Sequence, residues 1–327
     1  TSAIGLGNAN YLIGGKIVNG ASQTVLANKN IKWETTATTN IGIDAGFFDQ
    51  RLTLTADYYM RKTKDILLNI PISVITGLKA PIQNVGNVEN RGWDLSLNWQ
   101  DRVSEFDYGI KFNLSDVKNE VAYLGGTQEI IANNSIIKIG HPIYSIYGYE
   151  TEGIFQTPEE IENAPAQFGS LQPGNIRYKD QLTVDTDGDG VMDAGDGVIN
   201  ADDRVIIGDQ FPRFTYGINL NAGYKGFDLG IDLQGVGKRD ILLGGDLVFP
   251  LFNAGKIQKW HVQECWSPEN TNAKFPILAA TSFGSNDIQA SDTWVFNGSY
   301  LRVRNITLGY TLPKQLLSKI FIKNLRV

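Results

Sequence analysis

Apolar and polar residues alternate along several segments of this chain, each about ten residues long. In residues 214–224 the even-numbered positions are apolar and the odd-numbered positions are polar or glycine. Side chains of a β-strand alternate between its two faces, so this pattern predicts a strand with one apolar and one polar face. The same pattern, with varying regularity, recurs in residues 39–47, 52–59, 93–99, 108–115, 227–234, 305–310 and 322–327.

The connections between these segments fall into two classes by length. Three of them are short turns, at residues 49–51, 101–106 and 225–226. Three more are long loops, at about residues 62–90, 117–212 and 235–299. If successive strands alternate in direction, the short turns lie at one end of the sheet and the long loops at the other, which is typical of outer-membrane β-barrels.

Segment length and aromatic residues help to separate a membrane barrel from a soluble β-sandwich. A membrane-spanning strand needs about 9–11 residues. Aromatic residues stand near the ends of several segments, as Trp93 and Trp99 do, and are typical of the two membrane interfaces. A sandwich with one face on a core and one in water is the alternative. These features favour an all-β, antiparallel transmembrane β-barrel with long extracellular loops.

Composition excludes several other classes of protein. Mean hydropathy is −0.17 and no run of 18 apolar residues occurs, which excludes a transmembrane helix. The net charge of −6 argues against nucleic-acid binding. Cys265, the single cysteine, has no partner for a disulfide and no neighbour that suggests catalysis, and we expect His141 and His261 to be hydrogen-bonded or exposed. Residues 158–162 are expected to form a short helix with Thr157 as its N-cap.

Motifs along nearly the whole chain carry a family resemblance. They are IKWETT (31–36), NIGID (40–44), LTLTADYY (52–59), NVGNVENRGW (84–93), GIFQ (153–156), PGNI (173–176), DDRVIIG (202–208), GFDL (226–229) and YLRVRNITLGY (300–310). In sequence and in spacing these motifs resemble SusC/RagA-type TonB-dependent outer-membrane transporters.

The resemblance implies a fold, a location and a set of partners. Residues 1–327 are expected to form part of the barrel of about 22 strands, without the plug domain and the last strands. The expected protein lies in the outer membrane of a diderm (Gram-negative) bacterium and is not an enzyme. It imports oligosaccharides or peptides with a SusD-like surface lipoprotein, contacts outer-membrane lipid, and receives energy from TonB–ExbB–ExbD through the plug.

Residues 185–196 match the spacing of a twelve-residue calcium loop. Carboxylates or a backbone carbonyl occupy the ligand positions 1, 3, 5, 7, 9 and 12, and Gly190 stands at the turn position. The predicted ligands are Asp185, Asp187, Asp189, the carbonyl of Val191, Asp193 and Asp196. Asp196 replaces the usual glutamate and has a shorter reach. The alternative is an acidic turn stabilised by its own Asx-turns, without Ca²⁺.

Three tryptophans fall within the last long loop, at positions 260, 266 and 294. Trp260, Trp266 and Trp294 are predicted either to contact a substrate or partner protein, or to pack inside the loop.

The sequence leaves two other functions open besides transport. One is a calcium-binding cell-surface adhesin without transport, and the other is a soluble carbohydrate-active β-protein, which would need two carboxylates at catalytic separation.

Overall fold

The computed structural model describes residues 4–26, 28–70, 72–127, 129–281, 284–313 and 325–327. The strands, in chain order, are β1 (Ile4–Ile13), β2 (Lys16–Gln23), β3 (Thr35–Phe47), β4 (Leu52–Asn69), β5 (Ile82–Val103), β6 (Phe106–Leu124), β7 (Glu129–Ala132), β8 (Ser135–Lys138), β9 (Ser145–Tyr149), β10 (Thr151–Ile154), β11 (Ile176–Tyr178), β12 (Arg204–Gly208), β13 (Arg213–Tyr224), β14 (Phe227–Lys238), β15 (Asp240–Leu242), β16 (Val295–Asn297) and β17 (Tyr300–Tyr310). The helices are α1 (Pro158–Glu162) and α2 (Lys259–Glu264). Short 3-10 turns lie at Val74–Thr76, Ala201–Asp203, Phe252–Ala254, Asn286–Ile288 and Asp292–Trp294.

Seven long strands form one antiparallel sheet that is not closed. The strand order is β17-β14-β13-β6-β5-β4-β3, so each of these seven strands pairs with the one that precedes or follows it among them in the chain. The sheet ends at β3 on one side and at β17 on the other. The predicted antiparallel arrangement is confirmed, and the sheet is an arc of a barrel wall.

All the short turns lie at one end of this sheet, as the pattern predicted. The β3–β4 pair closes at Phe47↔Leu52, the β5–β6 pair at Val103↔Phe106 and the β13–β14 pair at Tyr224↔Phe227. The long connections, residues 70–81, 125–212 and 239–299, therefore all leave the opposite end.

β4, β5 and β6 continue beyond the ends that alternation indicated. β4 runs to Asn69 and β5 begins at Ile82, so residues 62–69 and 82–90 are strand where a loop was expected. β6 likewise continues to Leu124. In β4, Asp65 adopts a left-handed φ of 59° and the register shifts beside it, which changes the phase of the alternation there.

The apolar face of the sheet is exposed on its two edge strands and mostly half-buried on the strands between them. Ile41, Ile306 and Leu308 are 73%, 64% and 70% exposed. Aromatic residues border this face near the turn end, where Phe48 meets Trp99 and Phe227 meets Tyr310. A second aromatic row lies farther up the strands, where Tyr58 pairs with Trp93. The sheet thus presents an apolar band between two aromatic rows.

Residues 125–212 and 239–299 fold together above the sheet, and we call them the loop body. One buried cluster takes residues from both segments: Tyr149, Ile176, Tyr178, Ile199, Phe249, Phe252, Cys265, Phe275 and Trp294. Long loops seldom have a core of their own, since exposed connections bury little apolar surface. This shared core makes the two connections one structural unit.

A second buried cluster joins the sheet to the loop body. It contains Leu68, Val88, Val121, Leu124, Ile130 and Ile137, from the upper ends of β4, β5 and β6 and from β7 and β8. β7, β8, β9 and β12 form a separate four-stranded sheet. The strand extensions therefore serve as a base on which the loop body rests.

The two chain ends behave differently from the expectation. Residues 4–23 form an unpredicted hairpin, β1–β2, which turns at Gly14 and Gly15, both with positive φ. Of the predicted strand 322–327, residues 322–324 lie outside the described residues, and Arg326 bridges to Thr311. No helix in the described ranges is long and apolar enough to cross a membrane.

Candidate functional site

The acidic loop brings three of its carboxylates together. Single carboxylate oxygens of Asp185, Asp187 and Asp189 all lie within 4.8 Å of one another. The loop is closed at its base by an antiparallel bridge between Val184 and Ala194. These three side chains occupy the first three ligand positions of the predicted calcium loop, and the structure places them on one side of it.

Backbone N–H groups orient the first of these carboxylates. Gly188 and Gly190 donate to the two oxygens of Asp185 at 2.7 and 2.8 Å. These hydrogen bonds, first that of Gly190, lower the pKa of Asp185 and hold the carboxylate in its charged form. Gly188 and Gly190 both have positive φ, which is the conformation that glycine adopts at least cost.

The remaining predicted ligands point to partners within the protein. Asp193 accepts from the Thr186 hydroxyl at 2.6 Å, and this contact lowers the pKa of Asp193. Asp196 accepts from the Val198 N–H at 2.9 Å and from the Asn200 side chain at 3.1 Å. Val191 follows the acidic cluster in the chain, and its N–H donates to Asp189. Asp185, Asp187 and Asp189 converge, and all five aspartates also accept hydrogen bonds from nearby residues.

Two of the three candidate tryptophans belong to the core of the loop body. Trp294 is 1% exposed, and its Nε1–H donates to the Asp287 carbonyl at 2.8 Å. Trp266 is 7% exposed and donates to the Gln156 side chain at 2.9 Å. Their burial favours the packing alternative. Trp260 is half-buried beside Phe275, with the ring centroids 4.8 Å apart, and contact with a substrate or partner stays a prediction for it.

Asp287 connects the two segments of the loop body, and sequence reasoning missed it. Its carboxylate is 4% exposed and accepts from the Asn175 side chain at 2.6 Å and from the Ile176 N–H at 2.8 Å. Burial raises the pKa of Asp287, against the opposite effect of these donors. Asn175 and Asp287 stand 112 positions apart, so no local pattern links them.

Gly174 and its neighbours explain why the PGNI motif occurs in the loop body. Gly174 has a φ of +97°, and a Cβ at this position would lie 2.5 Å from the Trp266 ring. Asn175 and Ile176 then supply the donors to Asp287. The motif is therefore a packing and tethering element between the two long connections.

Asn84 has a similar role at the top of the sheet. Its side chain accepts from the Lys32 N–H at 2.8 Å and donates to the Asp65 carbonyl at 2.7 Å. Asn87 accepts from the Asp65 N–H at 3.3 Å. The two asparagines of the NVGN motif thus hold the left-handed bulge of β4 and the segment that precedes β3. Both asparagines belong to the NVGNVENRGW motif of the family resemblance, and this was the one sequence feature that could have indicated their role.

The histidines and the cysteine show no catalytic arrangement among the described residues. His261 is buried, and its ring accepts from the Gln258 N–H at 2.9 Å, so its other nitrogen donates to the Val248 carbonyl. His141 is exposed. Burial raises the pKa of Cys265 to about 12. A thiol with that pKa is a poor nucleophile at neutral pH.

The polar face of the sheet carries hydrogen-bonded side chains from neighbouring strands. Asn40 donates to Asp57 at 2.9 Å, and the Ser96 hydroxyl donates to Asn113 at 2.9 Å. Asp57 pairs in register with Asp94 across β4 and β5. The sheet therefore has one polar face and one apolar face. In an outer-membrane barrel the polar face lines the interior and the apolar face meets lipid.

The chain is similar along nearly its whole length to proteins of one family. A family model described as TonB dependent receptor-like, beta-barrel, matches residues 3–326. The chain belongs to this family. The resemblance that the motifs indicated is thereby confirmed, as is the fold class of an open part of a TonB-dependent receptor barrel.

Curated relatives and solved structures agree with this assignment. TonB-dependent receptor P3 of Formosa agariphila is 32% identical over 97% of this chain, and TonB-dependent receptor SusC of Bacteroides thetaiotaomicron is 28% identical over 87%. The structure of the RagAB peptide transporter superposes with a TM-score of 0.76 at 25% identity and covers 100% of this chain.

This TonB-dependent receptor-like chain spans about a third of the length of its relatives. It covers 31% of receptor P3, 26% of SusC and 34% of the matched RagAB chain. The similarity thus concerns one region of larger proteins, and it includes the seven-stranded sheet and the loop body.

Proposed function

We propose that this chain forms part of the wall of an outer-membrane transporter that imports oligosaccharides or peptides. The observation that carries this proposal is the apolar band of the seven-stranded sheet. Trp93 and Trp99 lie on its two aromatic borders and are six residues apart on β5, about 20 Å along a strand. The apolar band of an outer-membrane barrel is about 25 Å tall.

The opposite face and the loop body fit the same role. The polar face would line the interior of the barrel, where solute and plug lie, while the apolar face contacts outer-membrane lipid. Closure by further strands would complete the hydrogen bonding of the outer strands β3 and β17, since lipid offers no hydrogen bonds to a sheet edge. The loop body would form the extracellular rim.

The proposed partners of this chain, and the source of energy for transport, are those that its family membership implies. The chain would act as the SusC-like barrel of a SusCD-type complex, with a SusD-like lipoprotein at the extracellular mouth. The TonB–ExbB–ExbD complex of the inner membrane would supply energy through the plug. SusC and the RagAB peptide transporter, among its relatives, support this assignment. Transport makes and breaks no covalent bond in the solute, so we propose no catalytic residue.

Membrane extraction tests the proposal against both soluble alternatives. We expect the native protein to remain with outer membranes after a high-salt wash and to be released by detergent. A peripheral adhesin would be released by salt or by a calcium chelator, and a carbohydrate-active β-protein would appear in the soluble fraction. Either of these results would reject the barrel.

Uptake in cells tests the transport activity itself. Deletion of the gene, and separately of TonB, should abolish growth on the same oligosaccharide or peptide source, while growth on a monosaccharide or on free amino acids is retained. Growth of both deletion strains on every tested oligomer would contradict the proposal.

We also propose that residues 185–196 bind calcium. The convergence of Asp185, Asp187 and Asp189 within 4.8 Å supports this, since Ca²⁺ takes six to eight oxygen ligands at 2.3–2.6 Å. The Val191 carbonyl, Asp193 and Asp196 are the other proposed ligands, and the two aspartates would have to release Thr186 and Asn200. Bound Ca²⁺ would stiffen the loop and offset part of its negative charge.

Calorimetric titration of the full transporter with CaCl₂ tests this site. Asp187→Ala should lose the binding heat, because it removes one converging ligand oxygen. Asp202→Ala is the control, since Asp202 is an exposed acid outside residues 185–196. Equal heats in Asp187→Ala and the unmodified protein would reject calcium binding by this loop.

A further inference from the structure

A cavity of about 370 Å³ opens on the surface of the loop body. Residues from both long connections line it. The rim includes exposed Ser170 and Gln172, whereas Asn175, Asn286 and Asp287 line it from positions that are at most 7% exposed. The cavity is therefore a depression with buried polar groups in its lining, and its volume lies within the range of small-molecule sites.

The Asp287 carboxyl group in this cavity has hydrogen-bond donors but no cation beside it. Asp287 accepts from Ile176 and Asn286 at one oxygen and from Asn175 at the other. In the part of the chain that the structure describes, no lysine, arginine or histidine forms an ion pair with it. A buried carboxylate is costly unless it is paired.

One acceptor position of this carboxylate remains for a ligand. An ionised carboxylate has about four acceptor positions, and the three observed donors leave one, on Oδ2. The Asn286 side chain cannot supply a counter-charge, and it is itself held by the Ile176 carbonyl at 2.7 Å. A donor that also carries a positive charge would complete the site, with a charge-assisted hydrogen bond.

We propose that this cavity is a binding subsite for a primary ammonium group of the imported solute. The inference rests on the transport function proposed above and narrows its substrate class. Two kinds of solute carry this group: a peptide with a free amino terminus or lysine, and a glycan of de-N-acetylated amino sugars. A neutral oligosaccharide lacks the donor that Asp287 requires.

Calorimetric binding to the full-length transporter with its lipoprotein partner tests the subsite. One probe pair is tetra-alanine and N-acetyl-tetra-alanine, and the other is tetra-glucosamine and its fully N-acetylated form. The free amine of at least one pair should bind about tenfold to a hundredfold more tightly than its acetylated form. The pair that shows this difference identifies the source of the ammonium group.

Variants connect that preference to the cavity. Asp287→Asn should reduce the difference between amine and acetylated probe to about onefold, and Ser170→Trp at the rim should weaken the amine probe without a change in the buried network. Asp246→Asn, which removes an exposed acid elsewhere in the loop body, should keep the full preference. The rim variant keeps the test valid if Asp287→Asn fails to fold.

The outcomes separate this inference from the transport proposal. Equal binding of amine and acetylated probes in both pairs, or no binding of any probe, would overturn the subsite. TonB-dependent growth on oligomers would then still support transport. A preference that persists in Ser170→Trp and in Asp287→Asn would place the ammonium group elsewhere and would also overturn the subsite.

Discussion

The ring of Tyr59 lies across Gly92 on the neighbouring strand. The two residues are partners in the β4–β5 register, and a Cβ on Gly92 would lie 2.5 Å from the Tyr59 ring and 2.7 Å from the Asp116 carbonyl oxygen. The carbonyl belongs to the backbone of β6 and cannot turn away as a side chain does. Gly92 is thus the residue that allows three strands and one aromatic ring to meet.

Gly92→Ala is expected to destabilise the barrel wall. Overpacking of this kind costs about 1–3 kcal/mol, because ring and backbone must both shift. The measurement is the midpoint of urea unfolding of the detergent-solubilised full transporter. Gly217→Ala is the matched control, since its nearest neighbour would lie at 3.8 Å. Equal midpoints for the two variants would contradict the packing argument.

The contact between Asp116 and Arg213 joins β6 to the start of β13. Arg213 makes a two-pronged ion pair through Nε and Nη2, the latter at 2.6 Å, and Asp116 is 9% exposed. Asp116→Ala would leave the guanidinium of Arg213 without its partner. We expect a loss of about 1–3 kcal/mol, less than for a fully buried pair because Arg213 is partly exposed.

Urea unfolding measures this loss, and an exposed pair provides the control. Glu152→Ala removes the partner of Arg177, whose two nitrogens contact the same oxygen at 3.0 and 2.7 Å. Both side chains are exposed, so the expected change is at most about 1 kcal/mol. If Glu152→Ala costs as much as Asp116→Ala, burial does not determine the strength of these pairs.

Cys265 should resist alkylation in the folded protein. With the pKa at about 12, about one thiol in 10⁴ is ionised at pH 8, against about a quarter for an unperturbed cysteine. The thiolate is the reactive form, so labelling should accelerate as pH rises towards 12. Peptide-resolved mass spectrometry after iodoacetamide treatment gives the rate.

An exposed cysteine in α2, the helix that ends just before Cys265, is the comparison for this residue. Val262 is 63% exposed, and the thiol of Val262→Cys should be labelled about a thousandfold faster at pH 8. Unfolding in urea should bring the two rates together. Rapid labelling of Cys265 in the native protein would show that the loop body opens around it.

Gly174→Ala is expected to loosen the loop body. The substitution combines a left-handed φ with contacts of 2.5 Å to Trp266 and 2.6 Å to Ile277. Gly188→Ala places alanine in a similar conformation, φ +78°, with no atom within 4 Å. Proteolysis of the loop body should therefore accelerate in Gly174→Ala and change little in Gly188→Ala. Similar rates would mean that backbone strain, and not the Trp266 contact, dominates.

Local patterns predict the regular strands of this fold, in which side chains two positions apart lie on the same face of the sheet. Residues 214–224 and 227–234 keep a constant phase, and the structure confirms both strands. The helix at Pro158–Glu162 is also confirmed, with the Thr157 side chain accepting from the Glu160 N–H. Asp65 interrupts the phase of β4, and beyond it the pattern no longer indicates a strand.

The candidate sites depend more strongly on distant contacts. The spacing of Asp185, Asp187 and Asp189 is enough to predict that they meet, because a tight turn brings nearby residues together. The buried Trp266 side chain donates to Gln156, which lies 110 positions earlier in the chain. The buried Trp294 side chain donates to the backbone carbonyl of Asp287, a contact that no side-chain pattern indicates. A tryptophan in a loop has the same sequence signature whether it is exposed or buried.

The sequence by itself determined the two faces of the strands, the end at which the short turns lie and the family of the chain. These properties follow from side-chain alternation and from motifs that are continuous in the chain. Only the tertiary structure decided that residues 125–212 and 239–299 share one core and that Asp287 lies buried beside Asn175. Burial in this core and the hydrogen bond between Asn175 and Asp287 depend on residues more than a hundred positions apart, and local periodicity carries no information about which of them will meet.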